Sequence, residues 1–155
     1  MADPTVGSRV EFLDESPEIE EPLAKQWELA PDGGMKNEVI EEIIEFLGGR
    51  ERMNPSLHFR YRLVIDEALT NALQHGCPDG EGRVEVACHV SPSRCVIRVE
   101  DQGPGFTFDT VPDPTAPGNE FREHGRGILI MDRYAQRVAY SEGGRQVTLW
   151  LSIES

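Results

Sequence analysis

The sequence predicts an α/β (α+β) two-layer sandwich, with helices on one face of a mixed, largely antiparallel sheet. Three observations point there. Apolar residues recur at helical spacing in two early stretches, 39–47 and 57–72. Later stretches alternate apolar and polar residues with period two. The order strand, helix, helix, two strands, loop, helix, two strands then gives each helix a sheet face to cover.

The elements follow in order. Residues 1–24 are acidic, contain Pro4, Pro17 and Pro22, and keep no sustained period, so an irregular N-terminal extension is expected before a domain at 25–155. Residues 25–30 (KQWELA) alternate weakly and suit an edge strand, and PDGG at 31–34 is turn chemistry. Val39, Ile40, Ile43, Ile44 and Leu47 mark the first helix, which Gly48 and Gly49 can end. The longest helical signal covers 56–75, with Ser56 as candidate N-cap and Gly76 as stop. Leu57, Tyr61, Val64, Ile65, Ala68, Leu69 and Ala72 form its apolar stripe.

Period two then takes over. Val84, Val86, Cys88 and Val90 share one strand face, and Cys95, Ile97, Val99 and Asp101 share the next, joined by a short turn at 91–94. Residues 102–124 are rich in Gly and Pro, a long loop for a small domain. Residues 127–134 (GILIMDRY) suit a short apolar helix. Residues 136–141 and 144–153 read as two closing strands, with Val147, Leu149, Leu151 and Ile153 facing the core.

Composition narrows the function. A chain of 155 residues suits one domain, and 38% hydrophobic with 28% charged residues suits a folded one. Its net charge of −13 repels phosphate backbones and anionic lipid, so neither nucleic acid nor a membrane is an expected partner. The acidic runs at 11–21 and 38–45 read as solvated surface, the alternative being a docking surface for a basic partner. Cys77, Cys88 and Cys95 are odd in number and form no CxxC pair, so reduced thiols are expected. His75 and His89 lie nearby, but their spacing with the cysteines matches no standard zinc set. The N-terminus lacks a basic, apolar signal and no run reaches membrane-spanning length, so a cytoplasmic location is expected.

Three pieces carry chemistry. Glu67 and Asn71 lie four residues apart on the long helix, which stacks a carboxylate and a carboxamide one turn apart; His75 follows one turn later. Taken alone, the pattern favours an ordinary polar helix flank. Asp101 continues the inward face of its strand, where a carboxylate needs a donor. An adenine amine would serve, or Asp101 caps the turn that begins at Gln102. Gly103 and Gly105 allow the sharp bend either reading needs. Gly125 and Gly127 precede the third helix, where free amides suit a phosphate, although a lone GxG is equally a hinge.

The combination of ExxxN on a helix, DxGxG after a strand, a long loop and GxG before a helix resembles the GHKL (Bergerat-fold) ATPase superfamily. Within it the chain looks most like bacterial anti-sigma-factor serine/threonine kinases. DEALTNALQHG (66–76) and EHGRGILIMDRYA (123–135) are the closest stretches, and the resemblance covers about residues 25–153. It implies the Bergerat ATP-binding fold, with ATP and Mg²⁺ as cofactors. It implies Glu67 as the catalytic base, Asn71 as the Mg²⁺ ligand, and Asp101 as reader of the adenine amine. Gly103 and Gly105 would shape the adenine pocket, and Gly125, Arg126 and Gly127 would cradle phosphates. His75, His124 and Ile128 would join the ATP contacts, and residues 106–124 would form the lid. Family members commonly carry Gly-Thr before the last strand. The matching position here is Arg145, and Thr148 is out of phase with the inward residues, so that role is not carried over.

Three functions follow. The first is an ATP-dependent regulatory kinase that phosphorylates a serine on an anti-anti-sigma (STAS) protein and sequesters a sigma factor or similar regulator, with a homodimer implied. The second, motivated by Arg145, is a non-catalytic ATP-dependent protein-binding switch. The third is the catalytic domain of a histidine kinase. It is disfavoured because the stretch before residue 25 is too short and proline-marked for a helical phosphoacceptor region.

Overall fold

The computed structural model describes residues 9–49, 53–77, 80, 82–103 and 130–153. The elements run β1 (Val10–Phe12), β2 (Leu23–Leu29), α1 (Lys36–Phe46), α2 (Pro55–Gly76), β3 (Val84–Ser91), β4 (Arg94–Glu100), β5 (Arg137–Ser141) and β6 (Gln146–Ser152). A helical segment at 130–134 precedes β5. The six strands form one sheet in the order β1-β5-β6-β4-β3-β2. β1 pairs with β5 in parallel, and the other four pairings are antiparallel. Helices cover one face, as the alternating strands and striped helices require.

The core fills the space between them. Val84, Val86, Cys88, Cys95, Ile97, Val99, Leu149 and Leu151 face Val39, Ile40, Ile43 and Ile44 of α1 and Tyr61, Val64, Ile65, Ala68 and Leu69 of α2. Of the α2 stripe, only Leu57, in the first turn, is partly rather than fully buried. The Lys36–Asp66 ion pair, 2.9 Å, ties the two helices together.

Two elements differ from the sequence reading. The N-cap of α2 is Asn54, not Ser56: its Oδ1 accepts the Leu57 N–H at 2.8 Å. Pro55 then occupies the first helical position, where its fixed φ fits and its missing N–H costs nothing. Residues 10–12 also form a strand. Three residues are too few to display a period, and β1 exists because β5 offers it a parallel ladder.

After β1 the chain crosses the sheet face opposite the helices. Leu13 and Ile19 pack on Val96, Ala139 and Trp150 there. The Arg98 guanidinium donates to Pro17 O, and the Val90 N–H donates to Pro22 O at 2.9 Å. Asp14, Glu15, Glu18 and Glu20 are exposed along this crossing. No helix among the described residues is long and apolar enough to cross a membrane.

Candidate functional site

α2 carries Glu67, Asn71 and His75 and is pinned to the sheet at both ends. Tyr61 Oη donates to Ser152 O at 2.7 Å. At the far end, Gly76 lies against the side chain of Asp101: a Cβ built on Gly76 would stand 2.2 Å from Asp101 Cβ. No real pair of carbons approaches so closely, so only glycine lets the helix end pass this carboxylate. The sequence reading took Gly76 as a helix stop. Its second role was invisible because nothing local links it to Asp101.

Asp101 follows directly on β4. Its N–H donates to Arg145 O at 2.9 Å, and its Oδ1 accepts the Gly103 N–H at 2.8 Å. One oxygen thus caps the turn, the simpler of the two roles that the sequence allows it. The side chain is half-buried between Gly76 and that turn. Buried Cys77 lies beside it, and burial first, then the Asp101 charge, push the thiol pKa up. Gln102 Oε1 accepts the Arg83 N–H at 3.0 Å, which ties the turn back to the start of β3.

Between the two pins lie Glu67 and Asn71. Asn71 is the most informative residue of the site. Its Oδ1 and Nδ2 are both buried, and neither has a hydrogen-bond partner among the described residues. An unpaired buried carboxamide costs about 1–3 kcal/mol. Such a group persists where a ligand completes it. Neighbouring polar side chains on α2 are satisfied by contrast: Thr70 Oγ1 donates to Asp66 Oδ1 at 3.1 Å and accepts from Lys36 Nζ at 3.2 Å.

The donor set fits the implied cofactors. Mg²⁺ in nucleotide sites takes few protein ligands, the phosphates and water supplying the rest, so one carboxamide oxygen suffices. Among the described residues no group of three His, Cys, Asp or Glu could hold a metal by itself. Glu67, one turn before Asn71, is half-buried.

The structure places Glu67 and Asn71 along α2 and brings the end of that helix, at Gly76, against Asp101, with Gly103 in the turn that Asp101 caps. His75 sits on the last turn of α2. Gly105, His124, Gly125, Arg126, Gly127, Ile128 and the expected lid lie outside the described residues. Arg145 is beside the site through its carbonyl, yet its side chain is exposed and its Nε donates to Glu142 O at 3.1 Å. Thr148 is fully buried on the opposite sheet face, where its Oγ1 accepts from Arg98 Nε at 3.0 Å. It cannot face a ligand held by Asp101.

Residues 36–152 match the family model of the histidine kinase-like ATPase domain. None of the curated proteins compared with the chain matches it.

Proposed function

The chain belongs to the histidine kinase-like ATPase domain family, and from that premise we propose that it is an ATP-dependent regulatory serine/threonine protein kinase. One observation carries the reading: the buried Asn71 carboxamide, without a hydrogen-bond partner among the described residues, one helical turn from Glu67. Asn71 would hold the Mg²⁺ that neutralises phosphate charge when bound. Asp101 would read the adenine amine. Glu67 would take the proton of an attacking serine hydroxyl as that oxygen bonds to the γ-phosphorus and the β–γ bridging bond breaks. Positioning and charge neutralisation do most of the work in such a transfer.

The acceptor fits the resemblance: a serine on an anti-anti-sigma (STAS) protein, with a sigma factor or similar regulator as the sequestered partner and a homodimer as the assembly. The test is transfer from γ-labelled ATP to such a STAS protein. Phosphoserine is expected with wild type and not with Glu67→Ala; equal transfer by both would sink the reading. Titration calorimetry with Mg-ATP and Mg-ADP adds the ligand side. Asp101→Asn presents an amide nitrogen or a weaker acceptor to the adenine amine, so affinity should fall at least about tenfold, about 1.4 kcal/mol.

Arg145 favours one second reading, a non-catalytic ATP-dependent binding switch. Arg145 is exposed, at the position where the resemblance implies a threonine on the adenine side. That reading expects partner affinity to respond to ATP without phosphate turnover, and stoichiometric phosphoserine on the partner rules it out.

A further inference from the structure

The sheet face opposite the helices carries a groove of about 510 Å³ at one end, lined by Arg9, Glu11, Arg94, Gln136, Arg137 and Trp150. Strand register puts its arginines side by side. Arg137 stands opposite Trp150 across β5 and β6, and Arg94 stands opposite Ser152, two residues further along β6. Trp150 packs with Leu13 and Ile19 on the face away from the helices, so Arg137 and Arg94 share that face. Arg9 precedes Val10, which pairs with Val138, and so flanks Arg137 on its other side. Three of the 15 Lys and Arg residues thus gather at one place on a chain of net charge −13. Such a local concentration of positive charge favours an anionic partner.

Two carboxylates already pair with these arginines, and both come from the acidic N-terminal segment. Glu11 pairs with Nε of Arg137, and Glu21 lies 3.6 Å from Nε of Arg94. The Nη groups of both guanidiniums make no hydrogen bond among the described residues. Arg137 lies over the Trp150 ring, 4.3 Å from its centroid, which holds the guanidinium in place. Arg9 donates through one Nη to Arg133 O at 3.4 Å and Ala135 O at 3.3 Å, and it meets no carboxylate among the described residues. A guanidinium offers five N–H donors in a fork that matches a carboxylate. Donors therefore remain on all three arginines.

We propose that this groove docks an extended, carboxylate-rich segment of a partner protein. Charge complementarity selects the sign of the partner, and the pairs with Glu11 and Glu21 show that glutamate fits. The span selects a chain over a single small anion. From β1 to β4, in the order β1-β5-β6-β4, are three strand spacings, about 14 Å at about 4.8 Å each. One phosphate cannot bridge that distance. Alternate residues of an extended chain, about 7 Å apart, can. No groove residue belongs to the nucleotide site, so the proposal stands apart from the kinase reading.

The test uses the full chain carrying Trp27→Phe, which leaves Trp150 as its only tryptophan, and hexaglutamate as the probe. The acidic protein repels this peptide over most of its surface. A saturable change in Trp150 fluorescence at low salt, weakening as salt rises, is therefore the signature of the groove. Arg94 is the arginine least tied to the fold, held by one long ion pair. Arg94→Gln should weaken binding about threefold at an unchanged Tm, and Arg94→Glu should abolish it. No change in fluorescence, the same change with uncharged hexaglutamine, or undiminished binding by Arg94→Glu overturns the proposal. Inorganic phosphate that displaces the peptide at equal concentration also overturns it, because the groove would then be a small-anion site.

Discussion

At Gly76 stability and ligand geometry fall together, and at Asn71 they pull apart. Gly76→Ala gains helix propensity, about 1 kcal/mol, but its methyl would fall 2.2 Å from Asp101 Cβ. The overlap dominates, because backbone or carboxylate must move to relieve it. The variant should melt lower and bind Mg-ADP at least about tenfold more weakly, as read by thermal unfolding and calorimetry. Unchanged affinity at unchanged Tm would refute the close approach. For Asn71→Leu the signs are opposite. Removing an unsatisfied buried carboxamide is neutral or stabilising without nucleotide. The Tm of the ligand-free variant should equal or exceed that of wild type, while its response to Mg-ATP disappears. Neither effect is written in the sequence. The ExxxN spacing marks Asn71 as a candidate, but burial and the missing partner are properties of the folded chain.

At the scale of elements, α2 is the scaffold of the site, and its start is set by Asn54. Asn54→Ala removes the bond to the Leu57 N–H and should cost about 1 kcal/mol. A urea midpoint lowered at constant slope is the expected result. A fall in slope would instead mean a changed unfolded state. The strands were legible because their period is two and one face is buried. Val147, Leu149, Leu151 and Ile153 are all in the core, as the alternation requires. Ser56 was the misleading signal. Two candidate caps lie two residues apart, and the choice falls to the one that places Pro55 at the first helical position. β1 was not legible at all, since its partner strand is more than 120 residues away in the chain.

On the scale of the whole molecule, the acidic N-terminal segment covers part of the second face of the sheet. Its Leu13 and Ile19 seal Val96, Ala139 and Trp150. Deleting residues 1–22 removes this cover together with β1. The loss should be about 2–4 kcal/mol, from two partly buried aliphatic side chains and one short ladder, with a lowered Tm as the readout. Undiminished stability would mean that the segment only rests on the sheet. The fold also carries an alkaline limit. A hydrogen bond with Cys88, then burial, push the Cys95 thiol far above its ordinary 9.0, and burial raises the Tyr140 phenol above its ordinary 10.0. Both groups keep their protons in the fold while the unfolded chain loses them. Their contribution is full below pH 9.0 and declines as pH rises beyond it. Urea midpoints at neutral and strongly alkaline pH should therefore differ, with the alkaline one lower.

By itself the sequence determined the period of each main element, the inward faces, the sandwich they imply, and the motif set that identifies the ATPase family. These are local properties, set by residue spacing along one helix or strand. Only the tertiary structure decided the strand order, the parallel seat of β1, and the contact of Gly76 with Asp101. Each joins residues distant in the chain. Such contacts are selected by the packing of the assembled layers, which no single stretch of sequence encodes.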